Sequence, residues 1–198
     1  MNIMQPVIFF DWDDTLFPTT PLDDAIDFET FKSFGNRAHR VLRHAMRHGP
    51  TSIVTNSLEP WVHFSSRRYY PKDVEQTIKA LDVFHAIDLP EGVRDPLHKQ
   101  DTFLSCVCKY ISPNTTALNL ISIGDSNCER FALQNCGKIL RDRGICQVYT
   151  KTIKLLDRPT PEQLIGQLDF ITELIQKLAN TPGDQDLIIE DTFTDCNK

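Results

Sequence analysis

The sequence predicts an α/β domain in which a parallel sheet of five or more strands is packed between layers of helices. Three observations predict it. Short, largely apolar runs such as 7–10 and 118–123 end directly in acidic or small polar residues. Between the runs lie longer stretches whose apolar residues repeat at helical spacing. The runs lack polar alternation, which suits strands covered on both faces by crossover helices. A chain of 198 residues is long enough for one such domain with a sizeable core.

The elements follow in order. Val7, Ile8, Phe9 and Phe10 form the first strand. The stretch 24–48 is a crossover helix with Phe28, Phe31, Ala38, Val41, Leu42 and Ala45 on its apolar stripe. Asp23, Asp24, Asp27 and Glu29 stand at its start, and Arg40, Arg43, His44, Arg47 and His48 stand at its end before Gly49 and Pro50. That charge order complements the helix dipole, and Gly followed by Pro is a stop signal. The His/Arg face reads as a solvated helix surface, with an anion patch as the sharper alternative.

A second strand at 52–55 leads into a mixed region with one or two helices through Leu81, and a third strand is expected at 83–87. Asp95 and Pro96 open a helix at 98–111, which Ser112, Pro113 and Asn114 end. The fourth strand, 118–123, runs into Gly124, Asp125 and Ser126; a helix at 128–136 and a fifth strand at 145–149 follow. The last helix begins at Pro161 and carries Leu164, Leu168, Ile171, Ile175 and Leu178 on one stripe. Residues 1–180 therefore make one three-layer, Rossmann-like domain without a large cap. The acidic stretch 181–198 is expected to be a flexible extension, with Leu187, Ile188 and Ile189 as a segment able to dock.

Composition narrows the function. The net charge of −6 argues against non-specific binding of nucleic acid or anionic membrane. No apolar run approaches the ~20 residues that span a bilayer. The first strand lies so near Met1 that removal of a signal peptide would damage it, so an intracellular protein is expected, cytoplasmic with the nucleus left open. Six cysteines, at 106, 108, 128, 136, 146 and 196, fit neither a disulfide framework nor a zinc pattern and are expected as reduced, mostly buried thiols.

Chemistry is expected where strands end, because open parallel sheets bind ligands at their carboxyl edge. Asp11 and Asp13 follow the first strand, Thr55 and Asn56 the second, and Asp125 the fourth, while Lys99 opens a helix. An ionised Asp11 suits attack on phosphorus to form an aspartyl-phosphate. Asp13 suits the proton transfers, first to the leaving oxygen and then from the attacking water. Mg²⁺ would offset the repulsion between a carboxylate nucleophile and a dianionic phosphate, with Asp125 as a second carboxylate ligand and Glu129 supporting it. Lys99, the Thr55 hydroxyl and the Asn56 backbone N–H are candidates for phosphate oxygens, and Lys99 also for fixing Asp11.

These segments resemble the four motifs of the haloacid dehalogenase superfamily, in order. The apolar run with Asp11, Asp13 and Thr15 is similar to the first, and Ser52, Ile53, Val54 and Thr55 to the second. Lys99 is similar to the third, and 120–125 with Glu129 to the fourth. The resemblance spans roughly 7–129. It implies a phosphoaspartate intermediate and Mg²⁺ held by Asp11, Asp125 and the main-chain carbonyl of Asp13. The short segments between motifs, and Thr15, Leu16, Phe17 and Pro18, are similar to the capless magnesium-dependent phosphatases. An uncapped site implies a large substrate such as a phosphoprotein, or closure by another subunit, with a small phosphorylated molecule as the other substrate class.

Each residue also has a plainer reading. Asp-x-Asp is common in turns, Gly-Asp-Ser before a helix is a capping signature, and a first-turn Glu favours the dipole. Lys109 competes with Lys99 as the basic group. Trp12 reads as packing beside the loop; Trp61, Arg67, Arg68, Tyr69 and Tyr70 read as packing and solubility features outside the site. Two other functions compete with hydrolysis: a non-catalytic binding protein on the same fold, and a phosphotransferase or mutase that hands the phosphoryl group to an alcohol.

Overall fold

A computed structural model describes residues 4–24, 26–86, 99–112 and 114–190. Six parallel strands form one sheet: β1 (Met4–Phe10), β2 (Thr51–Thr55), β3 (Asp82–His85), β4 (Ala117–Gly124), β5 (Gln147–Lys154) and β6 (Gln185–Ile188), in the spatial order β3-β2-β1-β4-β5-β6. The helices are α1 (Phe28–Met46), α2 (Trp61–Tyr69), α3 (Lys72–Lys79), α4 (Lys99–Cys108), α5 (Asn127–Asp142) and α6 (Pro161–Asn180). The fold is the Rossmann-like α/β architecture that the sequence predicts, and no cap domain is inserted among the described residues.

The first strand shows why the sheet is buried on both sides. Ile8 and Phe10 enter one core with residues of α1, α3 and α6, whereas Val7 and Phe9 enter the other with residues of α4 and α5. Alternate residues thus serve different layers, and both faces of β1 are covered by apolar side chains. In α1 the Asp27 carboxylate caps the helix by accepting from the Thr30 backbone N–H at 2.8 Å. Asp23 and Asp24 fall instead in a 3-10 turn, Thr20–Asp24. Phe28, expected on the buried stripe, is 72% exposed because it is the first residue of the helix and precedes the inward-facing turns.

Several boundaries differ from expectation. The third strand is Asp82–His85, and residue 87, expected to end it, lies outside the described residues, as do Asp95, Pro96 and His98 before α4. Helix α5 continues past Cys136 to Asp142. Gly137 does not stop it: a Cβ there would lie 2.2 Å from Thr150 Cγ2, so glycine lets the helix approach β5 closely. The fifth strand lies at Gln147–Lys154 rather than 145–149, since its centre is polar yet buried, with Thr150, Lys151 and Thr152 all shielded from solvent.

Those polar residues are partnered from the chain's last described segment. The stretch expected as a flexible extension adds β6 beside β5 instead, with Lys151 opposite Gln185 and Lys154 opposite Ile188. Asp184 accepts from the Thr150 backbone N–H at 2.7 Å, and Asp186 accepts from the Thr152 hydroxyl at 2.6 Å and from Arg130 at 2.7 and 2.5 Å. Its acidic composition supplies acceptors to the neighbouring strand and helix. Residues 191–198 lie outside the described set. Cys106, Cys108, Cys128, Cys136 and Cys146 are free thiols, of which Cys106 and Cys136 are buried. No described helix is long and apolar enough to cross a membrane.

A buried polar node ties α6 to the sheet. Asn119 on β4 donates to the Leu178 and Ala179 carbonyls at 2.8 and 3.0 Å, and accepts from Lys151 Nζ at 2.5 Å. Lys151 also donates to the Thr181 carbonyl at 2.7 Å. The pair therefore satisfies carbonyls that a helix end leaves orphaned, with a cation at the negative pole of the dipole. Burial presses Lys151 down to about 8. Asn119→Ala would strand two carbonyls and a buried ammonium, so it is expected to cost about 2–4 kcal/mol. Urea denaturation should show this as a lower midpoint with an unchanged slope.

Candidate active site

The order of strands reverses between β1 and β4: the chain builds outward to β3 on one side and to β6 on the other. Such a reversal opens a crevice at the carboxyl edge of the sheet, where ligands bind. Phe10 is in register with Ile123, and the Asp11 backbone N–H donates to the Ile123 carbonyl at 2.9 Å. The acidic residues that follow β1 and β4 are thereby brought side by side at this edge.

Asp11 is held by Lys99, the first residue of α4. The ammonium donates to Asp11 Oδ1 at 2.8 Å, to the Val54 carbonyl of β2 at 3.1 Å, and to Glu129 Oε1. An ammonium has three N–H donors, so all three are engaged, and the side chain is 0% exposed. Lys99 thus fixes the Asp11 side chain, as expected. A contact from it to phosphate, also expected, would require it to release one of these partners.

Glu129 serves two purposes. Its Oε2 accepts from the Ser126 backbone N–H at 3.1 Å and from the Ser126 hydroxyl, while the Ser126 side chain accepts from the Cys128 N–H at 3.1 Å. This is a capping box at the start of α5, and the same carboxylate reaches the Lys99 ammonium. Gly124 makes room for it: a Cβ there would lie 2.6 Å from Glu129 Cγ. Glu129 is therefore not a solvated first-turn acid: it is buried, and its two carboxylate oxygens are shared between the helix cap and Lys99.

Asp125 differs from its neighbours. Among the described residues no side chain or N–H donates to its carboxylate, although its main-chain carbonyl accepts from Lys154 Nζ at 2.9 Å. Burial, and then the carboxylates of Asp11, Glu129 and Asp14, push Asp125 up to about 8. Burial likewise pushes Asp11 up to about 7 against the pull of Lys99. Burial works against the charge on Lys99, but Asp11 and Glu129 overcome it and hold the ammonium above its ordinary value. Asp11 and Glu129 share one ammonium, and the field of both carboxylates disfavours a further negative charge on Asp125.

Asp13 turns toward a separate set of donors. Its Oδ1 accepts from the Thr19 hydroxyl at 2.5 Å and the Trp61 indole N–H at 2.8 Å; its Oδ2 accepts from the Ser57 hydroxyl and from the Thr55 hydroxyl at 3.5 Å. Thr55 is buried and also accepts from the Ser57 backbone N–H at 3.0 Å, so its hydroxyl serves Asp13 and the loop after β2. Asn56, expected to offer its backbone N–H, is exposed beside it. Asp14 adopts a positive φ of 52° and binds the Thr20 backbone N–H at 2.7 Å, which closes the loop behind the site. Trp12 is buried and stacks on Phe17, the packing role read for it.

The structure therefore brings Asp11, Lys99, Glu129 and Asp125 together, and sets Asp13 and Thr55 beside them. It adds Thr19, Ser57, Trp61 and Lys154, which sequence reasoning omitted. Trp61 was assigned to packing, and nothing local marks a residue 48 positions from Asp13 as its partner. Among the described residues no three His, Cys, Asp or Glu side chains form a metal-binding group.

The charge excess has a measurable sign. A carboxyl raised from 3.8 to about 8 contributes stability that is present below 3.8 and lost as pH rises through about 8. In chelator, Asp125→Asn should therefore gain melting temperature relative to wild type as pH rises from 4.5 to 8.5. A flat difference across that range would mean that Asp125 is solvated.

Comparison with family models, with curated proteins and with solved structures finds no match to this chain, so the functional reading rests on the geometry described above.

Proposed function

We propose that the protein is a Mg²⁺-dependent phosphohydrolase that cleaves phosphate monoesters through an aspartyl-phosphate on Asp11, with Asp13 as general acid and base. One observation carries the reading: two carboxylates at one strand end are held by opposite kinds of partner. Asp11 is clamped by a buried ammonium, and Asp13 is ringed by hydroxyls and an indole N–H. An ammonium favours the anion that a nucleophile requires. Hydroxyls can turn to donate or accept, so the Asp13 cradle tolerates the carboxyl with and without its proton, as an acid/base requires.

The donor set suits the metal. Among the described residues the Asp125 carboxylate has no hydrogen-bond donor, and it is pressed toward neutrality by burial and by other acids, an arrangement that a divalent cation relieves. Two carboxylates and a main-chain carbonyl are hard oxygen donors of the kind Mg²⁺ prefers, with waters completing its shell. Asp11, Asp125 and the Asp13 carbonyl would hold it. Bound there, it would supply the charge that lets an anionic nucleophile approach a phosphate dianion. The resemblance to the haloacid dehalogenase superfamily supports the same ligand set.

The residues' own steps follow. An Asp11 oxygen attacks phosphorus and the bond to the leaving oxygen breaks, while Asp13 gives that oxygen its proton. The ionised Asp13 then takes a proton from a water that attacks the aspartyl-phosphate; the Asp11–phosphorus bond breaks, and phosphate and the free carboxylate result. Lys99 holds Asp11 in place during both displacements.

Phosphate release from aryl phosphates, sugar phosphates, nucleotides and phosphopeptides tests the reading. Turnover should require Mg²⁺ and stop with EDTA. Asp11→Asn should abolish it, and Asp13→Asn should lower it by about 10²–10⁴-fold. A folded, metal-loaded protein inert across the panel would point to a binding protein, and transfer of phosphate to an added alcohol in place of water would point to a transferase.

A further inference from the structure

We propose that Trp61 and Ser57 are positioning residues that clamp Asp13, one on each carboxylate oxygen, in the orientation from which it protonates the leaving group. The inference rests on the phosphohydrolase reading and adds to it residues that lie outside the strand-end acids.

The clamp is built from an element remote in sequence. Trp61 opens α2, with its backbone N–H donating to the Leu58 carbonyl at 2.8 Å and its carbonyl accepting from the Ser65 hydroxyl at 2.7 Å. Ser65 accepts in turn from the buried Trp12 indole N–H at 3.0 Å, which ties α2 to the loop that carries Asp13. The Trp61 ring meets Phe17 edge-on, with centroids 5.9 Å apart, and stacks against Phe64 at 6.2 Å. These contacts limit the freedom of the indole, whose N–H lies 2.8 Å from Asp13 Oδ1. Ser57 reaches Oδ2 from the loop after β2, and its own carbonyl is bonded to His85 Nδ1 at 2.7 Å.

The chemistry distinguishes these two groups. An indole N–H can only donate, so it always occupies a lone pair of Oδ1 and fixes the plane of the carboxyl group. The Ser57 hydroxyl donates to Oδ2 and can do so whether or not Asp13 carries its proton, so it remains a partner on both sides of the transfer and leaves that proton free for the leaving oxygen. When the phosphorus–oxygen bond of the ester breaks, the departing oxygen takes the Asp13 proton. The carboxylate that results keeps both hydrogen bonds. A carboxyl free to rotate would present its proton to the leaving oxygen only part of the time.

The loss should therefore scale with how much the leaving group needs a proton. Trp61→Phe keeps the ring packing and removes the donor; Ser57→Ala leaves the aromatic packing untouched. The measurement is kcat/KM, which covers the steps through departure of the leaving group, on ring-substituted phenyl phosphates from 4-nitrophenyl to unsubstituted phenyl. Each variant is expected to lose about 10-fold or more on phenyl phosphate and less than about 3-fold on 4-nitrophenyl phosphate, whose leaving group departs without help. Circular dichroism and melting temperature accompany the kinetics. Equal losses on all esters, or none, from folded variants of either residue would overturn the clamp while leaving the phosphohydrolase reading intact. A wild-type protein inert to the whole series would remove that reading and the clamp with it.

Discussion

The buried ammonium of Lys99 is the point at which the layers of the molecule meet. Its three donors reach β1 through Asp11, β2 through the Val54 carbonyl and α5 through Glu129, while its own backbone begins α4. A charge without solvent exposure survives only when every donor has an acceptor, so the sheet and both helices of that face must be in place together. The same requirement that orders the fold orders Asp11. On the proposed reading, a nucleophile placed in this way would need no rearrangement before it meets phosphorus.

The arrangement leaves a debt of negative charge. The single positive charge of Lys99 is divided between the carboxylates of Asp11 and Glu129, and the Asp125 carboxylate has no donor among the described residues. Stability is being given up at a place where the sheet order opens a crevice, a pattern that active sites share. Asp13 sits two residues from Asp11 but has donors of its own, because its side chain turns to the α2 side of the crevice. Separating the two carboxylates by partner, rather than by distance along the chain, allows adjacent acids to do different work.

The parts legible in the sequence were those whose physics is local. Val7 to Phe10 declares itself as a buried strand because each residue is apolar and each faces a core, and Leu118 to Ile123 does so through Leu118, Leu120, Ile121 and Ile123. Asp11 and Asp125 follow from them, since a carboxylate directly after such a strand has few structural uses. Where burial is achieved by polar pairing the signal disappears. Thr150, Lys151 and Thr152 read as surface, and their partners Asn119, Asp184 and Asp186 lie more than thirty positions away. Trp61 was invisible for the same reason: an indole on an amphipathic helix has the same local pattern whether it packs or donates to Asp13.

The short strand β6 has a further effect at the edge of the sheet. Without it, β5 would present eight residues of unpaired backbone, five of them with side chains rich in hydroxyl and amine groups that do little to repel another strand. An exposed parallel edge of that length is a template on which a second chain can add. Gln185–Ile188 covers half of it with a strand only four residues long, and the segment beyond Ile188 is acidic. So short a strand leaves little edge on which the sheet could grow from one molecule into the next. Asp184 and Asp186, which composition alone would assign to a solvated tail, fasten the strand that covers this edge.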